Sequence, residues 1–223
     1  MKRIGIYPSI MVAKPWEIKE YIKHFEEVDV DAIHFDVMDG HYVPNIMLGT
    51  NEFKAIRSVT YLPIDVHLMV KQPEKFIDYF DLKENDMCSF HPETTDHPYR
   101  LLQNLKTKGV KAGLAISPAT SLEYIENCMH VLDFVLVMSI NPGFAGQILT
   151  PDHLNKLERI NYLVSKADHK IEIIVDGNTN IENTKKMMKN GATGVVSGTS
   201  YILKNGPDEF IKRFNEFNEE INK

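Results

Sequence analysis

His34 and Asp36 stand two residues apart in IHFDVMDGHYVPN, an apolar stretch with the composition of a strand. On an extended strand residues i and i+2 project from one face, so an imidazole and a carboxylate would enter the same space. The arrangement recurs. PIDVHLMV sets Asp65 and His67 on one face, and the apolar run IEIIVDGN ends at Asp176. Two imidazoles and at least two carboxylates at strand ends can converge on one divalent cation. Mixed nitrogen and oxygen donors suit zinc, iron(II), manganese or cobalt rather than calcium, with zinc the leading candidate. Taken singly, each residue is as readily a satisfied polar group of the fold, since buried polar atoms are routinely paired. Taken together they bury charge at several strand ends without benefit, unless a cation or a proton-transfer task is shared.

The elements that would carry these groups alternate. β-rich apolar runs cover Ile4 to Tyr7, Ala32 to Val37, Ile64 to Met69, Met87 to Phe90, Ala112 to Ile116, Phe134 to Met138, Ile171 to Val175 and Gly194 to Ser197. Between and after them, stretches of helical period run from Trp16 to Val28, Pro73 to Phe80, Tyr99 to Lys108, Leu122 to Met129, His153 to Ala167, Ile181 to Lys189 and Pro207 to Ile221. Pro15, Pro73, Pro151 and Pro207 fall where helices would begin. Strand and helix in alternation mean parallel strands joined by right-handed crossovers, and eight such units predict a single (β/α)8 TIM barrel over residues 1–223. A doubly wound open sheet is the second choice. In a barrel, catalytic groups lie at the carboxyl ends of the strands. His34, Asp36, His67, His91, Ser117, Ser139 and Asp176 all occupy such ends and would ring one mouth.

The loop SINPGFAGQ follows the sixth strand, and Gly143 and Gly146 would let its backbone approach an anion. Alone this is a plain turn. It gains from Gly177 with Asn178 after the seventh strand and Gly198 with Thr199 after the eighth, where barrels commonly hold phosphate. None of these segments carries a lysine or arginine, so backbone amides and a helix amino terminus would do the binding. Met38, Met69 and Met138 lie at or next to strand ends, either filling gaps in the core or forming a polarizable, water-poor wall beside a reacting anion.

At 223 residues the chain is long enough for one such barrel. A net charge of -6 argues against a polyanion partner such as nucleic acid. Cys88 and Cys128 are the only cysteines, which excludes a disulfide framework and favours a reducing, cytoplasmic compartment. The amino-terminal MKRIGIYPSIM breaks its apolar run at Pro8 and Ser9 and reads as a first strand rather than an export signal. No apolar run approaches the roughly 18 residues of a membrane helix, so a soluble protein is expected.

In order along nearly the whole chain, YPSIM, IHFDVMDGHYVPN, PIDVHLMV, FHPET, MSINPGFAGQ, VDG and SGTS resemble the ribulose-phosphate 3-epimerase family of ketose-phosphate epimerases. The resemblance implies metal ligands His34, Asp36, His67 and Asp176, with Asp36 and Asp176 doubling as the acid/base pair. It places Ser9 and His67 against the sugar. Phosphate would be held by Gly143, Phe144, Ala145, Gly146, Gly177, Asn178, Gly198 and Thr199. It also implies a phosphorylated ketose as partner and assembly into a homo-oligomer. Where the five-carbon enzymes usually read NPGFGGQ, VDGG and AGS, this chain has Ala145, Asn178, and Thr199 with Ser200, and Ser117 stands where asparagine is usual. The Ala145 form, the HPET string and the GTS string look more like the allulose-6-phosphate 3-epimerase branch, with ribulose 5-phosphate as the alternative substrate. A phosphate-binding lyase or isomerase without metal would leave two strand-borne histidines without work, and a non-catalytic sugar-phosphate sensor would not need two acids.

Overall fold

The computed structural model describes residues 3–223. Met1 and Lys2 of the expected first strand's flank lie outside the described residues. Eight parallel strands curl into a ring: β1 (Gly5–Pro8), β2 (Ile33–Asp39), β4 (Ile64–Met69), β5 (Met87–Phe90), β6 (Lys111–Ile116), β7 (Phe134–Met138), β8 (Glu172–Asp176) and β9 (Gly194–Ser197). β1 pairs with β9, and the remaining seam is closed by a parallel bridge between Ser9 and His34. The ring is the predicted (β/α)8 barrel. A two-residue strand, β3 (Ile46–Met47), adds antiparallel to β2 at Met38 and Asp39, an element the sequence pattern did not announce.

Six of the seven β2 residues and all of β4 are buried, as expected of parallel strands covered on both faces. The strands face inward with Tyr7, Ala32, Phe134, Leu136, Met138, Ile174 and Val196, which fill the barrel. Phe134 lies across Gly113, where a Cβ would stand 2.4 Å from its ring, so the barrel packs a large residue against an absent one.

The outer layer contains α1 (Ile18–Glu27), α2 (Thr50–Arg57), α3 (Pro98–Thr107), α4 (Glu123–Cys128), α5 (His153–Val164), α6 (Ile181–Lys189) and α7 (Phe210–Ile221). α1 buries Tyr21, Ile22 and Phe25, and its Phe25 meets Phe210 of α7 at 4.9 Å between ring centroids. The first and last helices thus clasp each other across the seam.

Two differences from the sequence pattern have physical reasons. The sequence pattern does not mark α2, which has eight residues and only Phe53 and Ile56 buried, yet Glu52 Oε2 accepts from the Gly49 amide at 2.9 Å and Phe53 inserts against Phe35 and Phe80. The expected helix from Pro73 to Phe80 is instead two 3-10 turns, Pro73–Lys75 and Ile77–Tyr79. Its buried Ile77 and Phe80 are three residues apart, the repeat of a 3-10 turn rather than of an α-helix. The helix expected from Trp16 starts at Ile18, the one expected from His153 starts at that residue, and Pro207 opens a 3-10 turn that runs into α7.

Candidate metal centre

His34 and Asp36 on β2, His67 on β4 and Asp176 at the end of β8 each offer one donor atom, and the four atoms lie within 4.8 Å of one another. Register brings this about: Asp36 stands level with His67 across β2 and β4. Asp36 Oδ1 is 3.2 Å from both His34 Nε2 and His67 Nδ1. Donors bound at about 2.0–2.1 Å in a tetrahedral site stand roughly 3.3 Å apart, so this spacing is that of two edges of a coordination shell.

The surroundings fit the same use. His34 Nδ1 lies 2.7 Å from Asp65 Oδ2, and His67 Nε2 lies 2.9 Å from His91 Nε2. Each imidazole therefore has its outer nitrogen engaged and its inner nitrogen turned to the cluster, as metal-ligating histidines are held. Asp65 was expected to share a face with His67, and its partner turns out to be His34. The chain's residues thus form a centre that can hold a metal ion.

The electrostatics separate the two carboxylates. Burial alone would raise Asp36, but the imidazoles of His34 and His67 outweigh it and hold that carboxyl well below its usual range. Burial lifts Asp176 to about 6, with the negative charges of Asp36 and Asp65 adding to it and the imidazoles opposing. For His34, burial disfavours the charge, yet Asp36 and Asp65 on either side raise it well above the ordinary histidine value. His91 is driven the other way by burial and by His67, and stays neutral. Two carboxyls with values pushed apart are the arrangement that lets one donate a proton while the other accepts.

Above the cluster opens a cavity of about 210 Å³. Ser9, Asp36, Met38, Met69, Met138, Gly143, Phe144, Ala145, Gly146, Asp176, Gly177, Asn178, Gly198 and Thr199 all line it, while His34 and His67 lie wholly enclosed beneath. The residues singled out in the sequence are therefore brought to one place. Ser9 Oγ donates to Asp36 Oδ2 at 2.8 Å, which orients that carboxylate. Met38 and Met69 pack with Val43, and Met138 with the barrel interior. Ser139 does not face the cavity as a free hydroxyl: it lies 2.7 and 2.6 Å from the carbonyl oxygens of Asp176 and Gly177 and braces the end of β8.

Gly177 has φ +113, and a Cβ there would come within 2.6 Å of Ile140 Cγ1. Only glycine fits. Asn178 follows at φ 49, and its side-chain Nδ2 donates to the Gln147 carbonyl at 3.2 Å, tying the loop after β8 to the loop after β7. Asn45, which no sequence signal distinguished, ties that loop again through Nδ2 to the Gly143 carbonyl at 2.8 Å. Among the described residues no lysine or arginine lines the cavity, so a phosphate there would meet backbone amides.

The profile of the Ribulose-phosphate 3 epimerase family matches residues 5–202. A ribulose-phosphate 3-epimerase from Buchnera aphidicola is 41% identical over 200 residues, covering 89% of this chain and 88% of that protein. The Bacillus subtilis enzyme of the same name is 39% identical, covering 88% and 91%, and that of Escherichia coli K12 38%, covering 90% and 89%. Among solved structures, a tryptophan synthase α-subunit from a hyperthermophile, Pyrococcus furiosus, superposes with a TM-score of 0.63 at 14% identity, covering 99% of this chain and 98% of that one. A thiamine phosphate pyrophosphorylase from Pyrococcus furiosus gives 0.62 at 15%, covering 98% and 96%. At such identity these two bear on the fold alone.

Proposed function

Because the chain belongs to the ribulose-phosphate 3-epimerase family, we propose that it is a metal-dependent isomerase that inverts carbon 3 of a phosphorylated ketose, with Asp36 and Asp176 as its two acid/bases. One observation carries this: two carboxyls from β2 and β8 stand with two buried imidazoles inside 4.8 Å, at the floor of a cavity whose rim is glycine loops. Inversion needs a weakly acidic proton next to the carbonyl removed from one face and another delivered to the opposite face. Two carboxyls from separate strands answer that need. A divalent cation held by His34, Asp36, His67 and Asp176 would supply Lewis-acid stabilisation of the negative charge that develops as the proton leaves.

Ser9 keeps Asp36 aimed, and the methionines Met38, Met69 and Met138 wall off water, which strengthens every electrostatic interaction within. The amides around Gly143 to Gly146, Gly177, Asn178, Gly198 and Thr199 anchor the distal phosphate, so that binding energy far from carbon 3 orients it. Zinc leads the choice of cation, ahead of iron(II), manganese and cobalt, because the donor set is half nitrogen and half oxygen.

For substrate length, Ala145, Asn178 and Thr199 at the rim support a six-carbon ketose, allulose 6-phosphate giving fructose 6-phosphate. The curated relatives' shared name supports ribulose 5-phosphate giving xylulose 5-phosphate. Specificity constants for both sugars on one zinc-loaded preparation decide between them: a higher value for allulose 6-phosphate upholds the six-carbon reading, a higher value for ribulose 5-phosphate upholds the other, and no turnover of either overturns the epimerase. A homo-oligomer and a cytoplasmic setting belong to the same reading, the latter supported by Cys88 and Cys128 being free thiols. No helix among the described residues is long and apolar enough to cross a membrane.

A further inference from the structure

Behind His67 the polar contacts continue in one line to the protein surface. His67 Nε2 meets His91 Nε2 at 2.9 Å, and His91 Nδ1 meets Ser117 Oγ at 3.0 Å. Ser117 Oγ meets the Tyr42 hydroxyl at 3.0 Å, and that hydroxyl donates to Glu93 Oε1 at 2.7 Å. The three rings lie nearly against each other, Tyr42 to His91 at 4.6 Å and His91 to His67 at 5.1 Å between centroids. His91 is fully enclosed, whereas the Glu93 side chain is about a third exposed at 32% and also accepts from Thr120 Oγ1 at 2.9 Å.

Hydrogen count makes the line directional. Glu93 Oε1 accepts, so Tyr42 spends its single proton on it and can only accept from Ser117. Ser117 then spends its own proton on Tyr42 and can only accept from His91 Nδ1–H. A neutral imidazole has one N–H, so His91 Nε2 is left as an acceptor, and His67 must present its proton at Nε2. With the Nε2 proton committed to His91, it is at Nδ1, the atom 3.2 Å from Asp36 Oδ1, that a cation can displace a proton and meet a lone pair.

We propose that His91, Ser117, Tyr42 and Glu93 form a one-way hydrogen-bond relay that sets the tautomer of His67 and so turns a Nδ1 lone pair to the cation, an assignment that rests on the metal reading given above. These are positioning residues, acting through His67 and touching no substrate. The two ligand histidines are then held by different means. His34 leans directly on the buried carboxylate of Asp65, while His67 receives the influence of a surface carboxylate through three intermediaries. Ser117 and Tyr42 are the joints of the relay, and either one made apolar severs it.

The test uses the full chain, free of metal and then titrated with zinc. Nitrogen-15 spectra of the histidine rings in the metal-free protein should show His67 protonated at Nε2 in the wild type and mixed between the two nitrogens in Ser117→Ala. Zinc affinity, read by competition with a chelator, should fall on the order of tenfold in Ser117→Ala and Tyr42→Phe, the lower end of the range for groups that orient a ligand. Ser117→Thr, which keeps the hydroxyl, should restore both readouts. Tyr42→Phe preserves the ring and sits on a loop, so it reports even if Ser117→Ala folds poorly. A wild-type His67 that lacks a proton at Nε2, or zinc affinities unchanged in both severed variants, overturns the relay. A wild type that shows the expected tautomer but binds no zinc upholds the relay and instead removes the metal reading.

Discussion

His34 Nδ1 and Asp65 Oδ2 stand 2.7 Å apart with neither side chain reached by solvent. The second oxygen of that carboxylate, Asp65 Oδ1, has no hydrogen-bond partner. A buried acceptor left in that state is costly, and here the return is a histidine whose Nε2 is fixed toward the other donors. Asp65→Asn should therefore weaken zinc binding by about 10 to 100 fold while leaving the fold in place. Chelator competition measures it, with circular dichroism as the control for folding. An unchanged affinity would assign Asp65 to packing alone.

Asp36 and Asp176 reach the cavity from strands on different parts of the ring. Asp36→Asn and Asp176→Asn should each abolish interconversion of the epimers. One of them should still wash the carbon 3 proton of a single epimer into deuterated water, since the remaining carboxyl serves one face. Metal content is measured in both, because each residue is also a proposed ligand. Wild-type interconversion with metal retained would refute the pairing.

The raised value of Asp176 has a consequence for the metal-free protein. Between about 3.8, its ordinary value, and about 6 in the fold, the folded state holds a proton that the unfolded state has lost. Stability from this group is present below the lower value and is lost as pH rises through the window. A displacement of that size corresponds to roughly 3 kcal/mol at most. Asp36 is displaced the other way and acts at lower pH, and His34 loses its contribution only as pH climbs above the ordinary histidine value. Under chelation, Asp176→Asn should match the wild type near pH 4 and exceed it at pH 7, measured by denaturant unfolding. A stability difference that stays constant across that interval would contradict the assignment.

Gly177 occupies left-handed backbone with Ile140 and Ser139 pressed against it. Gly177→Ala must shift the end of β8, and with it both Asp176 and the amide of Asn178. KM for the phosphorylated sugar should rise and kcat should fall together, because misplacing a reacting group by about 1 Å can cost on the order of a hundredfold. Gly146→Ala meets no atom within 4 Å, so its cost is confined to its left-handed φ of +80. It should be the milder of the two, and the reverse order would show that crowding at Gly177 is relieved elsewhere.

What the sequence disclosed was what short spacing encodes. His34 with Asp36 and Asp65 with His67 obey the two-residue period of a strand, so the cluster was legible before the fold, although His34 stands second in β2 and not at the carboxyl end where the sequence pattern puts it. Contacts between distant segments were not. Asp65 joins His34 from 31 positions away, and Tyr42 reaches Ser117 across 75, where the pairing depends on register and loop path. The turns at Pro73–Lys75 and Ile77–Tyr79 escaped for a related reason, since an eight-residue window cannot tell a period of 3.0 from 3.6.

The pairing of β9 with β1, backed outside by Phe25 against Phe210, joins the two ends of the described chain and has a consequence for the order of assembly. Chains emerge amino end first at about 5–20 residues per second, and over a hundred residues separate His67 from Asp176, so three donors precede the fourth by roughly 5 to 20 seconds. During that interval β2 and β4 can already lie side by side while β1 has no β9 to meet. A cation taken up by the nascent strands would be held by an open, three-donor fragment. The four donors come together only when β8 and β9 take their places in the ring, so the cluster depends on closure of the whole barrel and not on β2 and β4 alone.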